Sequence, residues 1–157
     1  MKQLLLIVFC TYFLIISCAS SDKNGAASVK ENHSNNKMNT TESKVKIKIG
    51  NHSFTATLYD NATVAAFKSM LPITVNMVEL NRNEKYGDLS KTLPTNESNP
   101  AMIQTGDIML YGSSTLVIFY KTFSTSYSYT KLGRINYPAG LASALGSGSV
   151  TVAFELE

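Results

Sequence analysis

Residues 106–121 read GDIMLYGSSTLVIFYK, and this stretch decides the fold class. Apolar and β-branched residues fill both of its ends, and the Gly-Ser-Ser at residues 112–114 is a turn signal between them. The pattern therefore predicts two antiparallel strands, at residues 108–111 and 115–121, joined by a tight turn.

The second strand of this hairpin is apolar on both of its faces. Val117 and Phe119 lie on one face, whereas Leu116 and Ile118 lie on the other. One face must fill the protein core, and the other is either covered by another element or lines a groove.

Further strands are predicted on both sides of the hairpin, because alternating or β-branched segments recur there. These segments are residues 45–49, 54–59, 73–80 and 149–156, and residues 85–89 form a short extended piece within a long polar loop region at 81–100. Together with the central hairpin and short pieces between them, they give about eight strands. Evenly spaced strands with few helices favour a closed β-barrel.

Two short helices are predicted between the strands. Residues 62–71 have apolar side chains at helical spacing, with Asn61 as a cap before them and Pro72 to end the helix. A second helix is expected over residues 138–145, because proline favours a first turn and Gly146 suits a C-terminal cap.

The N-terminus predicts secretion and a lipid anchor. Residues 1–17 have the charge and the short apolar run of a signal peptide, and the run is too short for a transmembrane helix. The sequence LIISCAS at residues 14–20 resembles a bacterial lipobox, which implies diacylation of Cys18 and extracytoplasmic attachment to a bacterial membrane at the cell envelope. The alternative is an ordinary signal peptide in which Cys18 has no role.

The composition of residues 18–43 predicts a disordered tether that begins at the lipidated Cys18. Serine, asparagine, lysine and threonine dominate this segment, so it cannot bury enough apolar surface to offset the entropy of ordering. The globular domain is therefore assigned to residues 44–157. The other cysteine, Cys10, leaves with the signal peptide, which excludes disulfides, thiolate metal sites and a cysteine nucleophile from the domain.

The residues of the domain do not support nucleic-acid binding or a metal or cofactor site. Its charges nearly cancel without a basic stripe, so nucleic acid is not an expected partner. Its one histidine, His52, lies beside a hairpin turn, and no cluster has the spacing of metal ligands, so neither a metal nor a cofactor is predicted. Glu84 and Asp88 are expected to be solvated turn residues.

Five motifs in the domain resemble the bacterial cyclophilin-like domains, a branch of the cyclophilin fold. They are LYDNAT at 58–63, NEKYGDL at 83–89, TGDIMLYG at 105–112, LVIFYK at 116–121 and LGRI at 132–135. They occur in order over almost the whole domain. The resemblance implies a mainly β fold, a closed eight-stranded barrel with two short helices.

True cyclophilins are peptidyl-prolyl isomerases, and the resemblance to their site is incomplete. Residues 101–107, AMIQTGD, keep part of the signature strand, which implies that Gln104 contacts a substrate backbone and Met102 lines a proline pocket. However, Asn96 replaces the catalytic arginine, Ala101 replaces the pocket phenylalanine, and the chain has no tryptophan. Losing the arginine removes electrostatic stabilisation of the twisted amide, so no catalytic residue is assigned and little isomerase activity is expected.

The aromatic residues after the central hairpin predict a recognition surface. Tyrosines among serines and threonines offer apolar bodies with polar tips, although such rings can equally cover a barrel face. The predicted ligand-binding residues are Met102, Gln104, Phe119, Tyr120, Tyr127 and Tyr129. The sequence thus favours a lipid-anchored domain that binds a peptide or small ligand without efficient catalysis. The alternatives are a divergent isomerase or envelope folding helper, and a structural or adhesive surface lipoprotein.

Overall fold

The computed structural model describes residues 42–157. Its elements in chain order are β1 (Lys44–Ile49), β2 (His52–Leu58), α1 (Ala62–Lys68), β3 (Ile73–Leu80), β4 (Glu84–Asp88), β5 (Met102–Ile103), β6 (Asp107–Tyr111), β7 (Thr115–Phe119), β8 (Phe123–Ser124), β9 (Thr130–Ile135), α2 (Leu141–Leu145) and β10 (Val150–Leu156). The predicted signal peptide, Cys18 and nearly all of the predicted tether lie outside the described residues.

Eight strands form a closed antiparallel barrel in the order β1-β10-β3-β4-β7-β6-β9-β2. This arrangement confirms the predicted eight-stranded barrel with two short helices. The two remaining strands, β5 and β8, pair with each other as a separate small sheet outside the barrel. The sequence did not predict this small sheet.

The barrel interior is filled by alternate residues of its strands, as their two-residue periodicity predicts. On β1, for example, Val45, Ile47 and Ile49 are all buried. Helix α1 adds Phe67, whose ring lies edge-on to Phe154 of β10 at a centroid distance of 5.9 Å. Fully burying a side chain of this size contributes about 1.5–3 kcal/mol to stability.

A second, smaller core lies on the outer face of the barrel. It contains Val117 and Phe119 of β7 with Met109 of β6, and it is covered by Ile103 of the small sheet and by Tyr129. The β5-β8 sheet and Tyr129 therefore cover part of the outer face of β7. Leu116 and Ile118 on its opposite face fill the barrel, which explains why both faces of this strand are apolar.

The helix boundaries differ from those predicted. Asn61 caps α1 as expected, accepting a hydrogen bond from the backbone N–H of Val64 at 2.8 Å. The helix ends at Lys68 and not at residue 71, because the chain tightens into three-residue turns there, with the Leu71 N–H bonded to the Lys68 carbonyl.

The second helix begins at Leu141 and not at Pro138. The Pro138 carbonyl accepts the Leu141 N–H at 3.0 Å, so Pro138 belongs to a turn that precedes the helix. Gly146 caps α2 as predicted, with a positive φ of 62°.

Candidate functional site

A groove of about 550 Å³ runs over the outer face of β4, β7 and β6 beside the small sheet. One wall is the turn between β3 and β4, and the other is residues 123–129. The floor includes Val117 of β7 and Tyr86 of β4. Sites of this volume commonly hold small organic ligands or single side chains of a partner.

The turn between β3 and β4 positions the first wall. Asn81 and Arg82 adopt positive φ angles of 53° and 58°, and the Asn83 N–H bonds to the Leu80 carbonyl at 3.2 Å. Two successive left-handed residues give a turn whose twist matches that of the flanking strands. The turn places Asn83 and then Glu84 at the edge of the groove.

The second wall is fixed by hydrogen bonds to the preceding loop. Ser98 and Tyr129 exchange both of their backbone hydrogen bonds, each at 3.0 Å. The Thr125 N–H bonds to the Ala101 carbonyl at 3.0 Å, and the Asn99 side-chain amide donates to the Ser126 carbonyl at 3.1 Å. The backbone of residues 125–129 is therefore held in place by the loop that precedes it.

A continuous row of aromatic rings connects the outer core to the rim of the groove. Phe119 lies 5.8 Å from Phe123 and 5.4 Å from Tyr129, measured between ring centroids. Tyr111 then lies 5.7 Å from Tyr129 and 6.3 Å from Tyr127. Phe119 is fully buried and Tyr127 is 61% exposed, so the row passes from packed core to open surface.

Glu84 lies in this groove and is only 8% exposed. Within residues 42–157, its carboxyl group has neither a hydrogen bond nor an ion pair. Burial, and then the nearby charge of Glu79, raise its pKa from 4.5 to about 7. The expectation that Glu84 is a solvated turn residue was therefore wrong, because the pleat of β4 directs its side chain beneath the aromatic wall.

Asp88, by contrast, is exposed at the other end of β4. Its carboxylate accepts a hydrogen bond from the Thr115 hydroxyl at 2.7 Å, across the β4-β7 pair. It lines the groove together with Glu84. The two acids share one face of β4, since they are four positions apart and side chains alternate between faces.

The opposite face of β4 carries Lys85, which is fully buried. Its Nζ lies 2.6 Å from a carboxylate oxygen of Glu79 and donates to the Gly148 carbonyl at 2.6 Å. The Tyr120 hydroxyl donates to the other Glu79 oxygen at 2.7 Å. Burial opposes ionisation of Glu79, but the contacts with Lys85 and Tyr120 outweigh it and lower the pKa of Glu79 below its ordinary value.

The six predicted ligand-binding residues do not converge on one concavity. Tyr127 and Tyr129 line the groove, Phe119 lies beneath the small sheet, and Tyr120 bonds to Glu79. Met102 and Gln104 line a separate, polar hollow of about 120 Å³. The structure thus divides this set, and its role in binding stays a prediction.

The hollow beside Gln104 also contains Arg134 of β9. Its Nε lies 3.6 Å from a carboxylate oxygen of Asp107, whose other oxygen accepts the Gln104 backbone N–H at 2.8 Å. Arg134 was missed as a site residue because its motif, LGRI, was interpreted only as part of the resemblance to cyclophilin-like domains. Ala101, at the position of the cyclophilin phenylalanine, is exposed and has a positive φ of 58°.

The groove residues Glu84, Tyr86 and Tyr111 were also missed as site residues. For Glu84 and Tyr86 the sequence signal was the alternation within residues 84–88, EKYGD, which places two acids and a tyrosine on one face of a strand. That signal was hidden, because polar residues on both sides made the segment resemble a loop.

Metal-binding and membrane-spanning features were searched over the described residues. Residues 42–157 contain no group of three histidine, cysteine or carboxylate side chains placed to hold a metal ion. None of the helices in this part of the chain has the length and apolarity to cross a bilayer.

Comparison with known proteins identifies the family. The model of the cyclophilin-like family matches residues 47–155, and the chain therefore belongs to the cyclophilin-like family. The fold is similar to the solution structure of the hypothetical protein AF2241 from Archaeoglobus fulgidus, with a TM-score of 0.58, 17% identity, and coverage of 74% of this chain and 95% of that one. None of the curated proteins matches the chain.

Proposed function

We propose that the groove over β4, β7 and β6 is a ligand-binding site of an extracytoplasmic, lipid-anchored domain. The observation that carries this proposal is the unpaired carboxyl group of Glu84, which lies buried at the side of an open concavity lined by tyrosines. A carboxyl group on a covered residue, with limited access to water and no partner among the described residues, lacks contacts that a surface carboxylate makes. A bound peptide segment or small molecule supplies the missing contacts.

The proposal does not include efficient prolyl isomerisation. Asn96, at the position of the catalytic arginine, is exposed, and its backbone N–H donates to the Thr130 hydroxyl. Asparagine carries no charge with which to stabilise a twisted amide, and a lost donor of this kind typically reduces rates by about 10²–10³-fold.

Binding is tested by NMR on the ¹⁵N-labelled full chain in a neutral detergent, with a library of fragment-sized cations, anions and neutral molecules. We expect hits to shift the amide signals of residues 123–129 and of Glu84 in a saturable manner. Tyr127→Ala should weaken these hits, whereas Tyr137→Ala, which removes an 85% exposed ring outside the groove, should not. Hits confined to other surfaces, or no hits, would contradict the proposal.

A divergent isomerase is the second candidate, and one observation favours it. Arg134 enters the hollow with Met102 and Gln104 from a different strand, so a guanidinium group is present near the signature residues. An assay with an Ala-Pro tetrapeptide should nevertheless show little rate above the uncatalysed reaction. Robust turnover that is lost in Arg134→Lys would establish the isomerase and reject a non-catalytic domain.

The lipid anchor is a separate part of the proposal and rests on the lipobox at residues 14–20. Mass spectrometry of the mature N-terminus should show an acylated glyceryl group on Cys18. Cys18→Ser should release the protein from membranes. A mature chain that begins at another residue without lipid would contradict the anchor and leave the groove proposal unaffected.

A further inference from the structure

The charges of the groove all have one sign. Among the described residues that line it, the acidic side chains are Glu84 and Asp88, and lysine, arginine and histidine are absent from the lining. Arg82, in the adjacent turn, forms no ion pair with either acid. The groove therefore favours a positively charged ligand over an anion.

The position of Glu84 indicates where in the groove a positive charge would bind. The Glu84 residue is more than nine-tenths covered, and its carboxyl group has no hydrogen-bond or ion-pair partner within the part of the chain that the structure describes. The remaining opening faces the groove. A cation bound there would displace water from this partly covered carboxylate, and the lower local dielectric would strengthen the attraction.

The aromatic wall supplies the complementary surface for such a ligand. Tyr86, Tyr111, Tyr127, Tyr129 and Phe123 all line the groove. Ring faces attract ammonium and guanidinium groups, and rings also pack well against an apolar ligand body. A carboxylate beside several rings is the arrangement that recognises organic cations and disfavours small hydrated metal ions.

We propose that the groove binds an organic cation, an ammonium or guanidinium group on an apolar or aromatic body, with Glu84 as its counter-ion. This inference rests on the proposed binding function and specifies the chemical class of the ligand. The cation is either a free amine or a lysine or arginine side chain of a peptide, and both present the same chemistry to the groove.

None of the protein groups that the structure describes around Glu84 acts as its counter-ion, so a ligand can take that position. Glu79 is already paired with Lys85 on the other face of β4, and Tyr120 donates to Glu79. Tyr129, whose pKa is raised by burial and then by the Glu84 charge, is a neutral neighbour at physiological pH. None of these groups neutralises Glu84.

The test compares three probes that share a phenyl-ethyl body: 2-phenylethylammonium, 2-phenylethanol and 3-phenylpropanoate. The ¹⁵N-labelled full chain in a neutral detergent is titrated at pH 8, where Glu84 is ionised. We expect 2-phenylethylammonium to shift groove amides with at least tenfold higher affinity than 2-phenylethanol, and 3-phenylpropanoate to bind more weakly than both. Equal affinity for the cation and the alcohol, or a preference for the anion, would overturn the inference. The proposed function of the groove as a ligand-binding site would still stand.

Variants locate the effect on one carboxyl group. Glu84→Gln should lower the affinity for 2-phenylethylammonium to that for the alcohol without changing the alcohol's own affinity. Glu97→Gln, the same change at an exposed acid outside the groove, should change neither. Because Tyr127→Ala removes a ring and no charge, it should weaken all probes together. An unchanged ammonium affinity in Glu84→Gln would overturn the inference.

Two peptides distinguish the source of the cation. One is Ac-Gly-Lys-Tyr-Gly-amide and the other carries norleucine in place of lysine. Tight binding of the lysine peptide alone assigns a peptide partner, whereas binding of 2-phenylethylammonium but neither peptide assigns a free amine. If none of the cations binds the groove but neutral library fragments do, the cation inference fails and the binding function stands. If no compound of any charge binds there, both fail.

Discussion

The Nζ atom of Lys85 lies 2.6 Å from Oε2 of Glu79 inside one end of the barrel, where the lysine side chain is completely buried. The geometry is poorly aligned for a hydrogen bond, so the contact is chiefly ionic. With the bonds to Gly148 and from Tyr120, it connects β3 and β4 to the segments after β7 and before β10.

Lys85→Met should destabilise the barrel, because it leaves the Glu79 carboxylate partly buried without its cation. Removing one partner of a fully buried pair costs about 3–5 kcal/mol, and the partial exposure of Glu79 reduces our expectation to about 2–4 kcal/mol. Urea denaturation of the full chain measures the change. The double variant Lys85→Met/Glu79→Gln should recover part of the loss.

Lys48→Met is the matched control for this experiment. Lys48 and Glu155 form an ion pair of similar length, 2.8 Å, but both side chains are about half exposed. The loss there should be below about 1 kcal/mol. Equal losses in the two lysine variants would show that burial does not distinguish the pairs.

Glu84→Gln should remove a pH dependence of stability. In the folded chain the pKa of Glu84 is raised to about 7 from 4.5, so between these pH values the folded state holds more protons than the unfolded state. Stability therefore falls as pH rises through this window and is constant above it. We therefore compare the unfolding free energy of Glu84→Gln minus that of the native chain at two pH values. This difference should be about 1–3 kcal/mol larger at pH 8 than at pH 4.

Urea midpoints measured from pH 4 to pH 8 check this expectation for the native chain, Glu84→Gln and Glu97→Gln. The Glu97→Gln variant should follow the native chain, since Glu97 is exposed. A difference between the native chain and Glu84→Gln that does not vary with pH would show that the carboxyl group titrates as in water.

Gly133→Ala should destabilise the barrel strongly, because a Cβ atom there would lie 2.5 Å from the Thr57 carbonyl oxygen on the neighbouring strand β2. Backbone cannot move as a flexible side chain can, so we expect a loss of at least about 2 kcal/mol. Gly148→Ala is the control, because nothing lies within 4 Å of a Cβ at that position. Thermal melting compares the two variants. Equal decreases in melting temperature for Gly133→Ala and Gly148→Ala would contradict close packing of β9 against β2 at Gly133.

Residues 44–157, expressed without the preceding segment, should melt as one cooperative unit. Ser43, assigned to the tether from the sequence, nonetheless contacts the barrel: its carbonyl accepts the Leu58 N–H at 2.8 Å and its hydroxyl accepts from Lys68 Nζ at 2.7 Å. A fragment of residues 42–157 should therefore be more stable by about 1 kcal/mol. Loss of cooperative melting in the longer fragment would contradict an independent barrel.

The barrel was predictable because its strands have strong local signals. The two apolar faces of residues 115–119 required either a second covered surface or a groove, and alternation on β1 and β10 required a filled interior. The small sheet was not predictable, since two-residue strands carry no periodicity and their pairing depends on a distant loop.

The groove was only partly predictable, for a similar reason. Tyr127 and Tyr129 stand out among serines, and the structure brings both to its wall. Glu84 does not stand out, because the rings beside it in the groove, from Tyr111 to Tyr129, come 27 to 45 positions later in the chain. Non-local packing of this kind leaves no mark on the spacing of residues around it.

The most direct test of the account is the pKa of the Glu84 carboxyl group, measured by ¹³C NMR on the full chain with and without 2-phenylethylammonium. A midpoint near 7 in the free protein is expected from its burial without a partner, and saturation with the cation should lower that midpoint by at least one unit. A midpoint near 4.5 in the free protein would contradict the covered environment of Glu84. A midpoint that the bound cation does not lower would contradict its role as counter-ion to a positively charged ligand.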